Sequence, residues 1–158
     1  MSSWKSTLRL TEMEGLVADV QLPNFLQTSA PVLIHFSEFD DREELLPQEE
    51  TSVDTLLQQL PNLANTVADT AFKHYQWIYK EYRRIYGEQL EMPVAANSVE
   101  LRSFYQLRTI YLPEEVEKGR FGLGFSCDWE KEHDFGMQFR NWEIVEVGGD
   151  AEAFSFYD

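Results

Sequence analysis

Seven apolar residues, Leu63, Val67, Ala71, Tyr75, Ile78, Tyr82 and Ile85, recur at steps of four, four, four, three, four and three. That period places them on one stripe of an α-helix. Gly87 is a natural stop. Upstream, the like-charge run from Glu38 to Glu50 repels itself and reads as an exposed loop; after it Thr51 and Ser52 can cap a helical segment with Asp54 in its first turn, and Pro61 then ends or kinks that segment, or opens the next. The spacing predicts a long helix over about 62–86. At 1.5 Å per residue its roughly 25 residues reach about 37 Å, enough to cross a whole sheet face.

A sheet to receive it is legible on both sides. Thr7 to Leu10, Leu16 to Leu22 and Val32 to Ser37 are short β-prone runs broken by Gly15, Pro23 and Pro31, which predicts an antiparallel meander. Phe121 to Trp129, Phe135 to Glu143 and Ile144 to Val147, punctuated by Gly119, Gly136 and Gly148-Gly149, predict a second one. Between them Asn97-Ser98 reads as a cap, with Val99, Leu101, Phe104, Tyr105 and Leu107 as the apolar face of a shorter helix over about 98–107. The expected class is therefore α+β: a mainly antiparallel sheet from both ends of the chain, covered by the long helix, with no alternation of βαβ units. The 158 residues are expected to form a single domain, 1–158, around one core.

Charge narrows the partners. The net charge is -15, with 3 basic and 10 acidic groups in residues 1–50, 6 and 6 in 51–112, and 4 and 12 in 113–158. Such a field repels nucleic-acid phosphates and anionic lipid, so neither nucleic acid nor a membrane is expected as partner, and a basic protein is. Met1 to Lys5 lacks the apolar core of a secretory signal, no run approaches the roughly 20 apolar residues of a membrane span, and the lone Cys127 suits a reducing compartment. Cytoplasmic location is the expectation. Lys73, Lys80, Arg83 and Arg84 interleave with Tyr75, Trp77, Tyr79 and Tyr82, a pattern that can bind nucleic acid. In so acidic a chain these cations are expected instead to pair with internal carboxylates and to complement the helix dipole.

The densest polar group is Cys127-Asp128-Trp129-Glu130-Lys131-Glu132-His133-Asp134. Thiolate, imidazole and carboxylate are ligand types for borderline metals, and Cys127 with His133 is the minimum of a nucleophile and its base. No H-x-x-x-H or C-x-x-C spacing supports a metal, so no metal or cofactor is expected. The plainer reading is a charged hairpin turn with a buried cysteine at its edge. Gly119, Gly122 and Gly124 do not form a phosphate loop, because a strand follows them and no helix N-terminus does; strand glycines mark bulges or close backbone approach. His35 and His74 read as partly buried structural residues.

Residues Asp128, Trp129, Glu132, His133, Gly136, Met137 and Phe139, followed by Val145, Val147 and Gly148, resemble a pattern associated with bacterial domains of unknown function. In that pattern a strand ends in a D-W-x-x-E-H turn, and a G-φ-x-φ strand and a V-x-x-V-G close follow. Asp134 stands where a glycine is common. The resemblance implies a fold and no activity. In it Trp129 would cover one end of the sheet while its indole N–H meets an acceptor. By composition the chain is also similar to acidic immunity proteins that neutralise bacterial toxins. These readings lead to an acidic, immunity-type or inhibitory binding protein, with Glu43, Glu44, Asp128, Glu130 and Glu132 on the surface that meets a basic partner. The alternative, and lesser, reading is a small metal- or thiol-dependent enzyme using Cys127 and His133.

Overall fold

A computed structural model describes residues 4–26, 28–36, 44–130 and 134–156. A short 3-10 turn, Trp4–Thr7, leads into strands β1 (Arg9–Thr11), β2 (Gly15–Val20) and β3 (Val32–His35). Helix α1 (Pro47–Tyr86) follows, then α2 (Ser98–Leu101), β4 (Tyr105–Tyr111), β5 (Phe121–Cys127), β6 (Phe135–Arg140), β7 (Glu143–Gly148) and α3 (Ala151–Phe154). All seven strands form one sheet in chain order. Every neighbouring pair is antiparallel except β3 with β4, where Leu33 faces Thr109 and His35 faces Tyr111 in parallel register. The class is α+β, and both predicted meanders are present.

Helix α1 is longer than expected. It starts at Pro47 and runs for 40 residues, about 60 Å. Proline at the first helical position loses no hydrogen bond, and the Glu49 carboxylate accepts from the Leu46 N–H at 2.8 Å. Thr51 and Ser52 therefore lie inside the helix rather than at its cap, and Pro61 is accommodated on an exposed position within it. Glu49 and Glu50 sit in the first turn, where the helix dipole favours negative charge. The part of the acidic run from 47 to 50 is thus helix, not loop; residues 37–43 lie outside the described residues. Gly87 ends the helix at φ 59° with its N–H on the Arg83 carbonyl.

The buried stripe begins nearly three turns before Leu63. Val53, Leu56, Leu60, Val67, Ala68, Ala71, Tyr75 and Ile78 are buried, and Leu63 and Tyr82 are half-buried against the same core. Ile85, expected to close the stripe, is 59% exposed because the helix has by then outrun the sheet. The first turns of α1 pack on the N-terminal meander. Val53 joins Trp4, Leu16, Ala18, Ile34 and Phe36 in one cluster, and the Trp4 indole donates to Asp54 at 2.9 Å.

The expected helix over 98–107 is corrected. Helical backbone ends with α2 and a 3-10 turn, Arg102–Phe104, and the chain then extends as β4. In β4, Tyr105 and Leu107 are buried and Gln106 and Arg108 are not, a period of two; Thr109, Ile110 and Tyr111 continue with strand-favouring side chains. β4 fastens one meander to the other, so the centre of the fold is one β3–α1–β4 crossover, a single βαβ unit within a sheet that is otherwise antiparallel.

On the face away from α1, the chain end packs as α3. Gly122, Gly136 and Gly148 lie beneath it: a Cβ at Gly122 would stand 1.6 Å from the Ala153 carbonyl oxygen, and one at Gly136 2.9 Å from the Ala153 methyl. The Gln138 amide donates to the Glu152 and Ser155 carbonyls at 3.0 and 2.9 Å. The glycines of β5 and β6 mark close backbone approach, as expected.

Candidate functional site

The turn after β5 is built as a structural plug. Trp129 is buried and packs against Tyr75, Tyr105 and Phe135 with ring centroids 5.6, 5.8 and 5.0 Å away. It covers the end of the sheet, but among the described residues its indole N–H has no hydrogen-bond partner, where the sequence reading expected one; nor do His74 Nδ1 and the Tyr105 hydroxyl. Aromatic packing therefore holds this cluster. Burial pushes the Tyr105 hydroxyl up to about 12, partly offset by Arg102, and holds the His74 imidazole below its usual value against the opposing pull of Glu130. The Tyr82 hydroxyl donates to the Glu130 carboxylate and ties the turn to α1. Asp134 takes φ 50°, a left-handed conformation that aspartate tolerates, and so fills the place of the common glycine.

Cys127 is buried, its S–H directed at the Glu130 carbonyl 3.7 Å away. Burial pushes the thiol up to about 12, so the nucleophilic thiolate is scarce at neutral pH. Among the described residues no three of His, Cys, Asp and Glu gather as metal ligands. Glu43, Glu132 and His133 lie outside the described residues. Of the remaining expected surface residues, Glu44 and Asp128 are exposed and Glu130 is half-buried. They do not form one surface. Glu44 stands just before α1, whereas Glu130 is bound to Tyr82, and the 32 residues from Glu50 to Tyr82 span about 48 Å of helix.

A concave site forms at the other end, where the N-terminal half of α1 faces the β4–β5 connection. A cleft of about 200 Å³ is lined by Gln48, Thr51, Ser52 and Thr55 of α1, by Leu112 and residues 116–121, and by Trp142. A smaller hollow beside it adds Phe36, Glu49, Pro113 and Glu114. Leu56, Leu112, Phe121 and Trp142 give an apolar floor; the α1 hydroxyls and Glu117 give polar walls. Arg120 is buried at the base, 3.4 Å from Glu117 and 5.3 Å over the Phe156 ring. Glu117 also meets Arg140 at 3.3 Å.

Backbone conformation sets the Trp142 ring there. Asn141 and Trp142 form the two-residue turn between β6 and β7, both at positive φ, 53° and 67°. Asparagine accepts this readily, but tryptophan at positive φ is an outlier that its surroundings must hold. The Asn141 and Trp142 N–H groups donate to the Lys118 and Gly119 carbonyls, and a Cβ at Gly119 would lie 2.3 Å from the Trp142 nitrogen. The Trp142 ring then rests on Phe121 at 5.9 Å. Asn141 is a turn signal inside the run that the sequence predicts as one strand, Phe135 to Glu143. Arg120 and the α1 hydroxyls carried no local signal, since only the crossover brings them together.

The model of a domain of unknown function, DUF6985, matches residues 8–154, from before β1 to the last residue of α3. The chain belongs to this family. The DUF6985 match takes in the meanders, α1 and the cleft together, beyond the 125–148 segment that carried the resemblance. No curated protein and no solved structure matches the chain. No described helix is long and apolar enough to cross a membrane.

Proposed function

We propose that this chain is a binding protein whose acidic cleft receives a basic segment of a partner protein, in the inhibitory manner of a cytoplasmic bacterial immunity protein. The observation that carries the reading is the pairing of an apolar floor with carboxylates at the rim. Glu117 lines the cleft and Glu114 the hollow beside it, Glu115 stands exposed between them, and Glu44 and Glu50 lie at the adjoining start of α1, so that carboxylates outnumber the Lys118 and Arg120 cations there. A lysine or arginine stem can lie along Leu112, Phe121 and Trp142 while its cation meets the rim. The positive-φ Trp142 supports the reading, since outlying backbone that is firmly held gathers at ligand clamps. Burial of the Cys127 thiol speaks against the thiol-enzyme alternative.

The test is capture of basic proteins from a bacterial extract on the immobilised chain at about 50 mM and about 500 mM salt, a range over which the screening length falls severalfold. Proteins of high isoelectric point are expected to bind at low salt and to leave at high salt. Glu114→Lys/Glu115→Lys is expected to lower that retention about tenfold, and Asp128→Lys, at the far end of the sheet, to leave it unchanged. Equal retention by all three proteins would remove the cleft from the interaction.

A further inference from the structure

We propose that the solvent face of the C-terminal half of α1 is a second docking surface, and that it takes an acidic segment of a partner protein, anchored by an apolar side chain on Trp77. It stands independently of the cleft, being on another part of the helix and of opposite charge.

Lys73, Trp77, Lys80 and Arg84 recur at steps of four, three and four, which sets them on one exposed stripe about 16 Å long. The tyrosines that interleave with them in sequence turn inwards: Tyr75 is buried and Tyr79 and Tyr82 pack on the core. Trp77 alone of that aromatic set faces out, 62% exposed. The expectation that internal carboxylates neutralise the cations holds for one of them. Arg84 meets Glu81 at 2.8 Å, whereas Lys73, Lys80 and Arg83 have no carboxylate partner among the described residues. Four cations against Asp69 and Glu81 leave this face locally positive on a chain of net charge -15. With screening over about 8 Å at physiological salt, the distant acidic ends weaken this local field little.

Indole flanked by cations is the composition of an interface hot spot. The complementary occupant carries a few carboxylates around one apolar residue. A single-stranded nucleic acid could also stack on Trp77, but such surfaces stack successive bases on several aromatic side chains, and here Tyr75, Tyr79 and Tyr82 turn inwards and leave Trp77 alone of that set. The observations therefore favour the peptide.

The probe is a fluorescein-labelled amphipathic peptide of about 12 residues, long enough as a helix to span the stripe, with glutamates around central leucines, and its glutamine counterpart as control. Fluorescence anisotropy with the full chain is expected to show the glutamate peptide bound at least tenfold more tightly than the control. Lys73→Glu/Lys80→Glu is expected to weaken it about tenfold and Trp77→Ala severalfold, with the thermal midpoint unchanged because all three side chains are exposed. Glu114→Lys/Glu115→Lys, which tests the cleft, is expected to leave this affinity unaltered, so the two readings fail separately. Equal binding of the two peptides, or unchanged affinity in both stripe variants, would overturn the proposal. So would tighter binding of an oligothymidylate of equal length, which would make the stripe a nucleic-acid surface, or self-association that the stripe variants abolish, which would make it a contact between copies.

Discussion

The two faces of β5 and β6 are filled by opposite means. Towards α1 the strands present Phe121, Leu123 and Phe125 against Phe135, Met137 and Phe139, and two cross-strand pairs stack almost flat: Phe121 on Phe139 at 4.4 Å and Phe125 on Phe135 at 4.6 Å. Away from α1 the same strands present Gly122, Gly124, Gly136 and Gln138; α3 lies directly on Gly122 and Gly136 and accepts from the Gln138 amide, and the Tyr111 ring covers Gly124. One face is thus held by side-chain volume, the other by the absence of it. A helix standing off a sheet needs large side chains to fill the gap, while a single turn at a chain end gains contact only by coming close.

The largest effect that can break this comparison comes from the bulky face. Phe125→Ala removes half of a stacked pair from a dry layer and is expected to cost about 3–5 kcal/mol, read as a fall in the denaturant midpoint at constant slope. Ile78→Ala, on the helix side of the same layer, is expected to cost about 2–5 kcal/mol. An unchanged midpoint would mean that α1 does not seal the sheet. On the glycine face, Gly122→Ala places a methyl against the Ala153 carbonyl. It is expected to cost about 1–3 kcal/mol, the range for overpacking, and to increase amide exchange selectively in α3 and at the Gln138 side chain. A cost equal to that of Phe125→Ala, with exchange raised throughout the sheet, would show both faces to be one cooperative core.

The smallest effect sharpens the helix face at its aromatic end. Burial holds His74 below its usual value, so the unfolded chain binds a proton that the folded chain refuses. Its contribution to stability is complete above the unfolded value of about 6.5 and is lost as pH falls below it. The carboxylates add their own acid dependence, so the difference between wild type and His74→Gln isolates this residue. Between about pH 7.5 and 5.5 the wild-type midpoint is expected to fall further than that of His74→Gln. Parallel curves would mean that His74 takes up its proton as readily in the folded chain as in the unfolded one.

The fold was largely legible because its strongest signals are periodic. The stripe of α1 and the alternation in β6 each repeat within a few residues, and every repeat reports the same buried face. The errors lie where two local signals compete. Val99 to Leu107 carries a cap and then an apolar pattern that suits either period, and only pairing with β3 and β5 makes Tyr105–Tyr111 a strand. Likewise the acids near residue 50 read as a repelling loop, although at a helix N-terminus the same charges are favourable. The 127–134 group draws notice because reactive side-chain types crowd together in sequence, but its plainer reading is a turn with a buried cysteine. In accord with that reading Trp129 and Cys127 turn into the core, and Glu130 spends its carboxylate on Tyr82.

By itself, the sequence determined an acidic α+β chain with one dominant amphipathic helix and a strand group at each end, because hydrophobic period and turn residues act over a few positions. Tertiary structure decided where that helix starts and stops against the sheet, which cations of α1 meet no carboxylate among the described residues, and that Thr55, Arg120 and Trp142 line one cleft. Those residues are far apart along the chain, and what brings them together is the burial of a 40-residue helix across a seven-stranded sheet, a long-range packing outcome that no local pattern encodes.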